Sequence, residues 1–283
     1  MTGRDRGRSF AAMTENATVT PPTGGVQGRL WGLRAADWAR VQEAQTRPAF
    51  EAALGAADVG PGTRLLDVGC GAGLALEIAA ARGAEVSGLD ASPGMLAEAS
   101  RRLPGASLVE GEIEALPYPD ASFDVVTGFN SFQYAARPTI ALREASRVAG
   151  PQGRVVLLNW APAEQCDAGA YLMGLGRLMP PPPPGAPGPF ALSSEAALRE
   201  LFAAAGLIVR SIADVACEWR YPDLETAIVG LECSGPVQRV AEHAGEAAVR
   251  EVTEEFLAEF RTETGGYALT NTFRYVIATP QPA

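Results

Sequence analysis

The sequence predicts an α/β fold: a doubly wound, mostly parallel sheet of seven strands, with lead helices before it and a helical cap inserted before the last strand. Three observations carry this prediction. Short apolar, strand-like runs alternate with helical stretches between residues 64 and 159. The connections between them are short. A glycine-rich stretch, LLDVGCGAG from Leu65 to Gly73, joins the first strand to the first helix. Parallel strands need helical crossovers, and those crossovers cover both faces of the sheet.

The elements follow in order. Residues 1–27 hold Thr, Gly, Pro and charge without an apolar core, so a disordered lead-in is expected there, not a secretory leader. Trp31, Ala35, Trp38, Val41, Phe50 and Leu54 recur at helical spacing, which predicts one or two helices, the second started by Pro48. The alternating series then predicts strand Arg64–Val68, helix Leu74–Arg82, strand Glu85–Leu89, helix Pro93–Arg102 capped by Ser92, and strand Ser107–Glu110. It continues with strand Phe123–Gly128, helix Pro138–Val148 and strand Arg154–Asn159. Residues 28–160 are thus expected to form the core with its lead helices.

Residues 161–283 are expected to supply a linker, the cap and the last strands. The Pro-rich stretch Met179–Pro189 cannot join a helix or sheet interior and reads as a semi-rigid spacer. Beyond it lie a predicted helix Ser194–Ala205, capped by Ser193 or Ser194, and a strand Leu207–Trp219. Helices Asp223–Glu232 and Pro236–Thr262 form the predicted cap, and Thr272–Ala278 closes the sheet.

Composition narrows the chemistry. The 283 residues carry a net charge of −10, and all 23 basic residues are arginine. An acidic chain is a poor partner for nucleic acid or an anionic membrane. Without lysine there is no P-loop lysine and no Schiff base. Cys70, Cys166, Cys217 and Cys233 form no C-x-x-C pair and His243 is the one histidine, so no metal site is expected. With no run long enough to span a membrane, a cytoplasmic protein with a small-molecule substrate is expected. Both a monomer and a homodimer remain open.

The glycine turn admits two ligand classes. A dinucleotide wants G-x-G-x-x-G with its pyrophosphate on the helix N-terminus. Here the glycines are Gly69, Gly71 and Gly73, and position 74 is Leu, so that spacing is broken. Asp67 would repel a pyrophosphate and attract an α-ammonium. S-adenosylmethionine carries that ammonium and a sulfonium, and no phosphate. Asp90, after the next strand, is placed to accept from both ribose hydroxyls. Glu112 and Ile113 fall at the end of the third strand, where a carboxylate can accept from an adenine amino group and a backbone N–H can meet a ring nitrogen.

DVGCGAG, LDAS, EGEIEALPYPDASFDVV and RVAGPQGRVVL together resemble the class I S-adenosylmethionine-dependent methyltransferases, in particular the small-molecule type similar to the ubiquinone and menaquinone C-methyltransferases. The resemblance covers about residues 60–160. It implies a Rossmann-like core with S-adenosylmethionine as cofactor. Asp67, Gly69, Gly71 and Gly73 would hold the methionine end. Asp90 would bind the ribose, Ala91 and Met95 would pack near the adenine, and Glu112 and Ile113 would recognise it. Asn130 would border the methyl donor and the acceptor. The chain departs from the pattern at Glu112, where Asp is frequent, and at the turn Gly150-Pro151-Gln152-Gly153. It also has Ser131-Phe132-Gln133-Tyr134 where histidines are common, which removes the obvious base.

Methyl transfer needs mainly orientation, and a base only where the acceptor holds its proton. His243, Asn130 and Gln133 are the candidate catalytic residues. Trp31, Trp38, Trp160, Tyr267 and Asn271 are the candidate substrate-binding residues, with Tyr134 and Tyr171 expected at the rims of the pocket by their position in the chain. The expected function is methyl transfer to a small molecule, with a cyclase or isomerase sharing the pocket, or a non-catalytic cofactor-binding partner protein, as alternatives.

Overall fold

A computed structural model describes residues 21–181 and 190–282. The expectations for the start of the lead-in and for most of the Pro-rich stretch lie outside them. Seven strands form one sheet: β1 (Arg64–Val68), β2 (Glu85–Asp90), β3 (Ser107–Glu110), β4 (Val125–Phe129), β5 (Arg154–Trp160), β6 (Leu207–Tyr221) and β7 (Tyr267–Pro280). Their order is β3-β2-β1-β4-β5-β7-β6. The first five run parallel, and β7 is antiparallel to both β5 and β6. Strand order reverses at β1, and the crevice outside the carboxyl ends of β1 and β4 is where such sheets bind ligands.

The lead segment contains α1 (Gly24–Gly32), α2 (Ala35–Asp37) and α3 (Arg47–Ala56), with Pro48 in the first turn of α3. Between α2 and α3 the helix widens over Trp38–Gln42 and tightens over Glu43–Thr46. Such irregular turns recur at functional sites. The parallel strands are linked by α4 (Leu74–Ala81), α5 (Pro93–Arg102) and α6 (Pro138–Ala149). Ser92 caps α5, its Oγ accepting from the Met95 N–H. Then come α7 (Asp167–Gly176) and α8 (Glu195–Ala204), whose cap is Ser194. Helices α9 (Leu224–Glu232), α10 (Gly235–Ala244) and α11 (Glu246–Leu257) lie between β6 and β7.

The alternation of side chains along the strands divides the core. Leu65, Val156, Leu158 and Ile277 pack with Phe50 and Leu54 of α3 and Leu76 of α4. On the other face, Leu66, Val126, Leu157 and Val276 pack with Leu142 of α6 and Leu198 and Phe202 of α8.

Several boundaries differ from expectation. Helix α1 begins at Gly24, inside the stretch expected to be a disordered lead-in. β4 begins at Val125 because the Phe123 N–H donates to Val148 O at the end of α6. The single helix expected over Pro236–Thr262 is broken at Gly245, whose φ of +91° is left-handed and ends α10. The strand expected over Thr272–Ala278 starts five residues earlier, at Tyr267. That extension shapes the site. Phe273 pairs with Trp160, the last residue of β5, so Tyr267–Thr272 run on past the edge of β5 paired with β6. Cys217, Trp219 and Tyr221 on β6, and Leu269, Asn271 and Phe273 on β7, alternate onto the buried face of this ribbon. No helix among the described residues is long and apolar enough to cross a membrane.

Candidate active site

The turn after β1 is built on left-handed glycines. Gly69, Gly71 and Gly73 have φ of +74°, +54° and +85°, a region that glycine enters without steric cost. The Gly69 and Cys70 N–H groups both donate to Leu89 O, at 2.7 and 3.0 Å, which ties the turn to the end of β2. A Cβ on Gly69 would collide with Ser131, whose Oγ donates to Val68 O at 2.6 Å. Asp90 completes the frame: its Oδ2 accepts from the Gly71 N–H and its Oδ1 from the Ser92 N–H, both at 2.8 Å. Each carboxylate oxygen keeps a further lone pair for a ligand.

Three acids converge on this turn. Asp67 is 2% exposed, and its Oδ1 accepts from the Thr127 hydroxyl at 2.6 Å. Burial pushes its carboxyl up to about 7; the nearby Asp90 and Glu43 add to this, and the Thr127 hydrogen bond opposes it. Burial also raises Asp90 and Glu43. Glu43, on the tightened turn, accepts from the Leu74 N–H at 3.3 Å and pairs with Arg102. These shifts fix a sign. An Asp67 carboxyl raised from its ordinary value to about 7 keeps its proton longer when folded than when unfolded. Its contribution to stability is present at low pH and is lost as pH rises towards and through 7. Thermal melts of the ligand-free protein between pH 5 and pH 8 should show a smaller decline in Asp67→Asn than in the wild type. Equal declines would contradict the burial assigned to this carboxyl.

Two cavities open at this edge. The larger, about 920 Å³ including its mouth, is lined by Asp67, Gly69, Gly71, Asp90, Ala91, Met95, Glu112, Ile113 and Asn130, all candidate cofactor residues, together with Glu43, Gly24, Gly28 and Gln27. The second, about 610 Å³, lies under the cap and is lined by Trp160, Tyr171, Trp219, Phe273, Leu231 and Val237 among others. Trp31, Trp38, Thr46, Asn130 and Tyr134 line both, so the two cavities share a wall.

The larger cavity is lined by the carboxylates of Glu43, Asp67, Asp90 and Glu112 and, among the described residues, by no arginine or histidine. This donor set suits a cationic ligand with hydroxyls and opposes a pyrophosphate. Its roof is α1. The Gly24 N–H donates to Glu112 Oε2 at 2.9 Å, and Thr23 Oγ1 donates to Tyr134 O at 2.6 Å. Gly24, Gly28 and Gly32, four residues apart, bring the backbone of α1 onto Glu112 and the Ala91–Gly94 turn. A Cβ on Gly28 would collide with the Ala91 carbonyl. Trp31 packs edge-on against Trp38 and Tyr134, with centroids 4.9 and 5.8 Å apart.

Several candidates sit elsewhere. Gly73 turns towards α5, where a Cβ would meet Ala99 at 3.1 Å, and does not line either cavity. His243 is exposed in the last turn of α10 and lines neither cavity, a position favoured by the helix dipole. Gln133 and Tyr267 also line neither. Asn271 is fully buried and accepts from the Ala168 N–H at 3.0 Å, so it anchors the start of α7. Sequence reasoning missed Glu43, Thr46 and Trp219 as lining residues. An acid in a helical stretch reads as solvated, and nothing in its spacing marks Glu43. The glycines of α1 at four-residue spacing were a readable signal of close helix packing.

A family model described as a methyltransferase domain matches residues 66–157. The demethylmenaquinone methyltransferase of Renibacterium salmoninarum is 38% identical over 117 residues, 41% of this chain and 49% of that protein. The malonyl-(acyl-carrier protein) O-methyltransferase of Erwinia pyrifoliae is 31% identical over 176 residues, 62% of this chain and 63% of that protein. The chain spans about half the length of the first curated relatives it matches. Among solved structures, the 4+2 cyclase SpnF superposes with a TM-score of 0.58 at 18% identity, covering 93% of this chain and 98% of that one. The YcgJ protein of Bacillus subtilis gives 0.53 at 17% identity, covering 83% and 98%. At such identities the likeness concerns the fold alone.

Proposed function

We propose that this chain, which a methyltransferase-domain model matches over residues 66–157, is a class I S-adenosylmethionine-dependent methyltransferase that transfers a methyl group to a small molecule held in the second cavity. The observation that carries this reading is the carboxylate-lined turn with no lining cation beside a neutral, aromatic cavity. When bound, S-adenosylmethionine supplies a methyl group made electrophilic by its sulfonium.

The protein's own groups then have distinct tasks. Asp67, ionised beside an ammonium, and Glu43 supply negative charge at the methionine end. Asp90, already held by two backbone donors, offers its remaining lone pairs to the ribose hydroxyls. Ala91, Met95 and Ile113 give apolar contact to the adenine. Glu112, held by the Gly24 N–H, joins α1 to that end of the cavity. Asn130 stands at the shared wall with φ +54°, a conformation asparagine tolerates better than most residues. Thr46, Trp31, Trp38 and Tyr134 complete that wall and fix the approach of one reactant to the other.

No lining group of the second cavity is a ready base. Burial pushes the Tyr134 phenol up to about 12 and raises Tyr171 further, so both stay protonated near neutrality. Tyr171 also hydrogen-bonds Thr253, at 3.0 Å. Orientation and exclusion of water therefore carry the reaction, and the acceptor presents its own nucleophile. The acidic balance of the chain supports a small molecule in preference to a nucleic acid as acceptor. The fold likeness to a cyclase brings no activity across.

Calorimetric titration tests the reading. S-adenosylmethionine and S-adenosylhomocysteine should bind with micromolar affinity and NAD should not bind. Binding of NAD in place of the other two would overturn it.

A further inference from the structure

Two residues that line the second cavity carry buried polar atoms left without hydrogen-bond partners among the described residues. Trp219 is 5% exposed, lines the cavity, and its Nε1–H has no hydrogen-bond partner among the described residues. Asn130 Oδ1, on the wall shared with the first cavity, is likewise buried and unpartnered among them. A buried tryptophan N–H usually finds an acceptor, and one left unpaired destabilises the fold. The Trp219 ring is held by Trp160 and Phe273, at centroid distances of 5.6 and 6.4 Å. Beside them Tyr221 and Gln42 satisfy each other through a 2.7 Å hydrogen bond.

The surroundings limit what can fill the space. Among the described residues, no Asp, Glu, Arg or His lines this cavity. The phenols of Tyr134 and Tyr171 are held protonated by burial. A charged ligand would be desolvated there with no counter-charge from the lining. Walls built of Trp31, Trp38, Trp160, Trp219 and Phe273 favour a flat, ring-bearing ligand.

We infer that Trp219 Nε1 and Asn130 Oδ1 are the specificity-determining pair of the acceptor pocket: they select an uncharged, ring-bearing molecule with a carbonyl or ether oxygen for the tryptophan and an O–H or N–H for the asparagine. This rests on reading the second cavity as the acceptor site. The asparagine, being common to both cavities, holds the hydroxyl or amine side of the ligand next to the methyl donor. The tryptophan fixes the far side, and a ligand lacking the oxygen leaves the indole N–H unpaired.

The test is binding to the full chain saturated with S-adenosylhomocysteine, so that no transfer occurs. Four probes are titrated: 5-hydroxy-1-tetralone, 1-tetralone, 2-naphthol and 1-naphthoate. The hydroxyketone should bind tightest, the two single-function probes about five- to tenfold more weakly, and the carboxylate least. Trp219→Phe keeps the ring and removes the donor. It should weaken both ketones about five- to tenfold and leave 2-naphthol unchanged, with S-adenosylhomocysteine affinity as the control for folding. Equal weakening of all probes would reduce Trp219 to packing and overturn the inference. Tightest binding by the carboxylate would overturn it as well. Failure of every probe while S-adenosylhomocysteine still binds would overturn the pocket assignment alone. Failure of S-adenosylhomocysteine itself would strike the function proposed above.

Discussion

Asp90→Ala should weaken S-adenosylhomocysteine binding by about a hundredfold or more, measured by calorimetry at neutral pH. The carboxylate works twice. It accepts from the Gly71 and Ser92 N–H groups, at 2.8 Å each, and so fixes the glycine turn and the start of α5 relative to each other. Under the proposed function it also accepts from the ribose. Removing it deletes the ribose acceptors and leaves two backbone donors unpaired, each costing about 1–3 kcal/mol where water cannot replace the partner. Each 1.4 kcal/mol is tenfold in affinity, so losing two charge-assisted hydrogen bonds to the ribose, at about 1.5 kcal/mol each, gives the stated loss. Asp90→Asn separates the two tasks. An amide oxygen can keep one of the backbone donors, so it should recover part of the stability and little of the affinity. An Asp90→Ala protein that binds within threefold of wild type would remove Asp90 from the cofactor site.

Gly28→Val should be nearly as damaging, though residue 28 carries no chemistry. Its helical backbone tolerates any side chain, but a Cβ there would collide with the Ala91 carbonyl. That carbonyl belongs to the turn anchored by Asp90 and cannot move without breaking the frame. Helix α1 must lift instead. Lifting it pulls Gly24 from Glu112 and Trp31 from Trp38 and Tyr134, so the roof of the first cavity and the wall shared by both are lost together. Cofactor affinity should fall by more than tenfold, and stability by about 1–3 kcal/mol, the usual cost of overpacking. Gly25→Val, on the same helix where a Cβ meets nothing within 4 Å, is the matched control and should bind normally. Equal behaviour of the two variants would show that α1 is not seated as described.

The alternation of strands and helices was legible because each parallel strand must be followed by a crossover, and both repeat with their own period. The turn after β1 was legible because left-handed backbone selects glycine, and the cap of α5 because Ser92 has the short acceptor a helix start requires. The roles of Glu43 and Trp219 were not. Glu43 sits in a helical stretch where an acid is ordinarily solvated, and only the irregular turn at Glu43–Thr46 carries it inward. Trp219 falls in the part of β6 that pairs with β7 beyond the edge of β5, and strand length past a neighbour is set by pairing, which leaves no local mark. His243 and Asn271 attracted notice for their chemistry, yet one faces solvent and the other anchors α7. By itself the sequence determined the order of elements, the glycine turn and the acids Asp67, Asp90 and Glu112, because these depend on local backbone geometry and on spacing along the chain. The tertiary structure alone decided which acids share a cavity, what roofs it and which buried dipoles stay unpaired, because those follow from contacts between segments far apart in sequence.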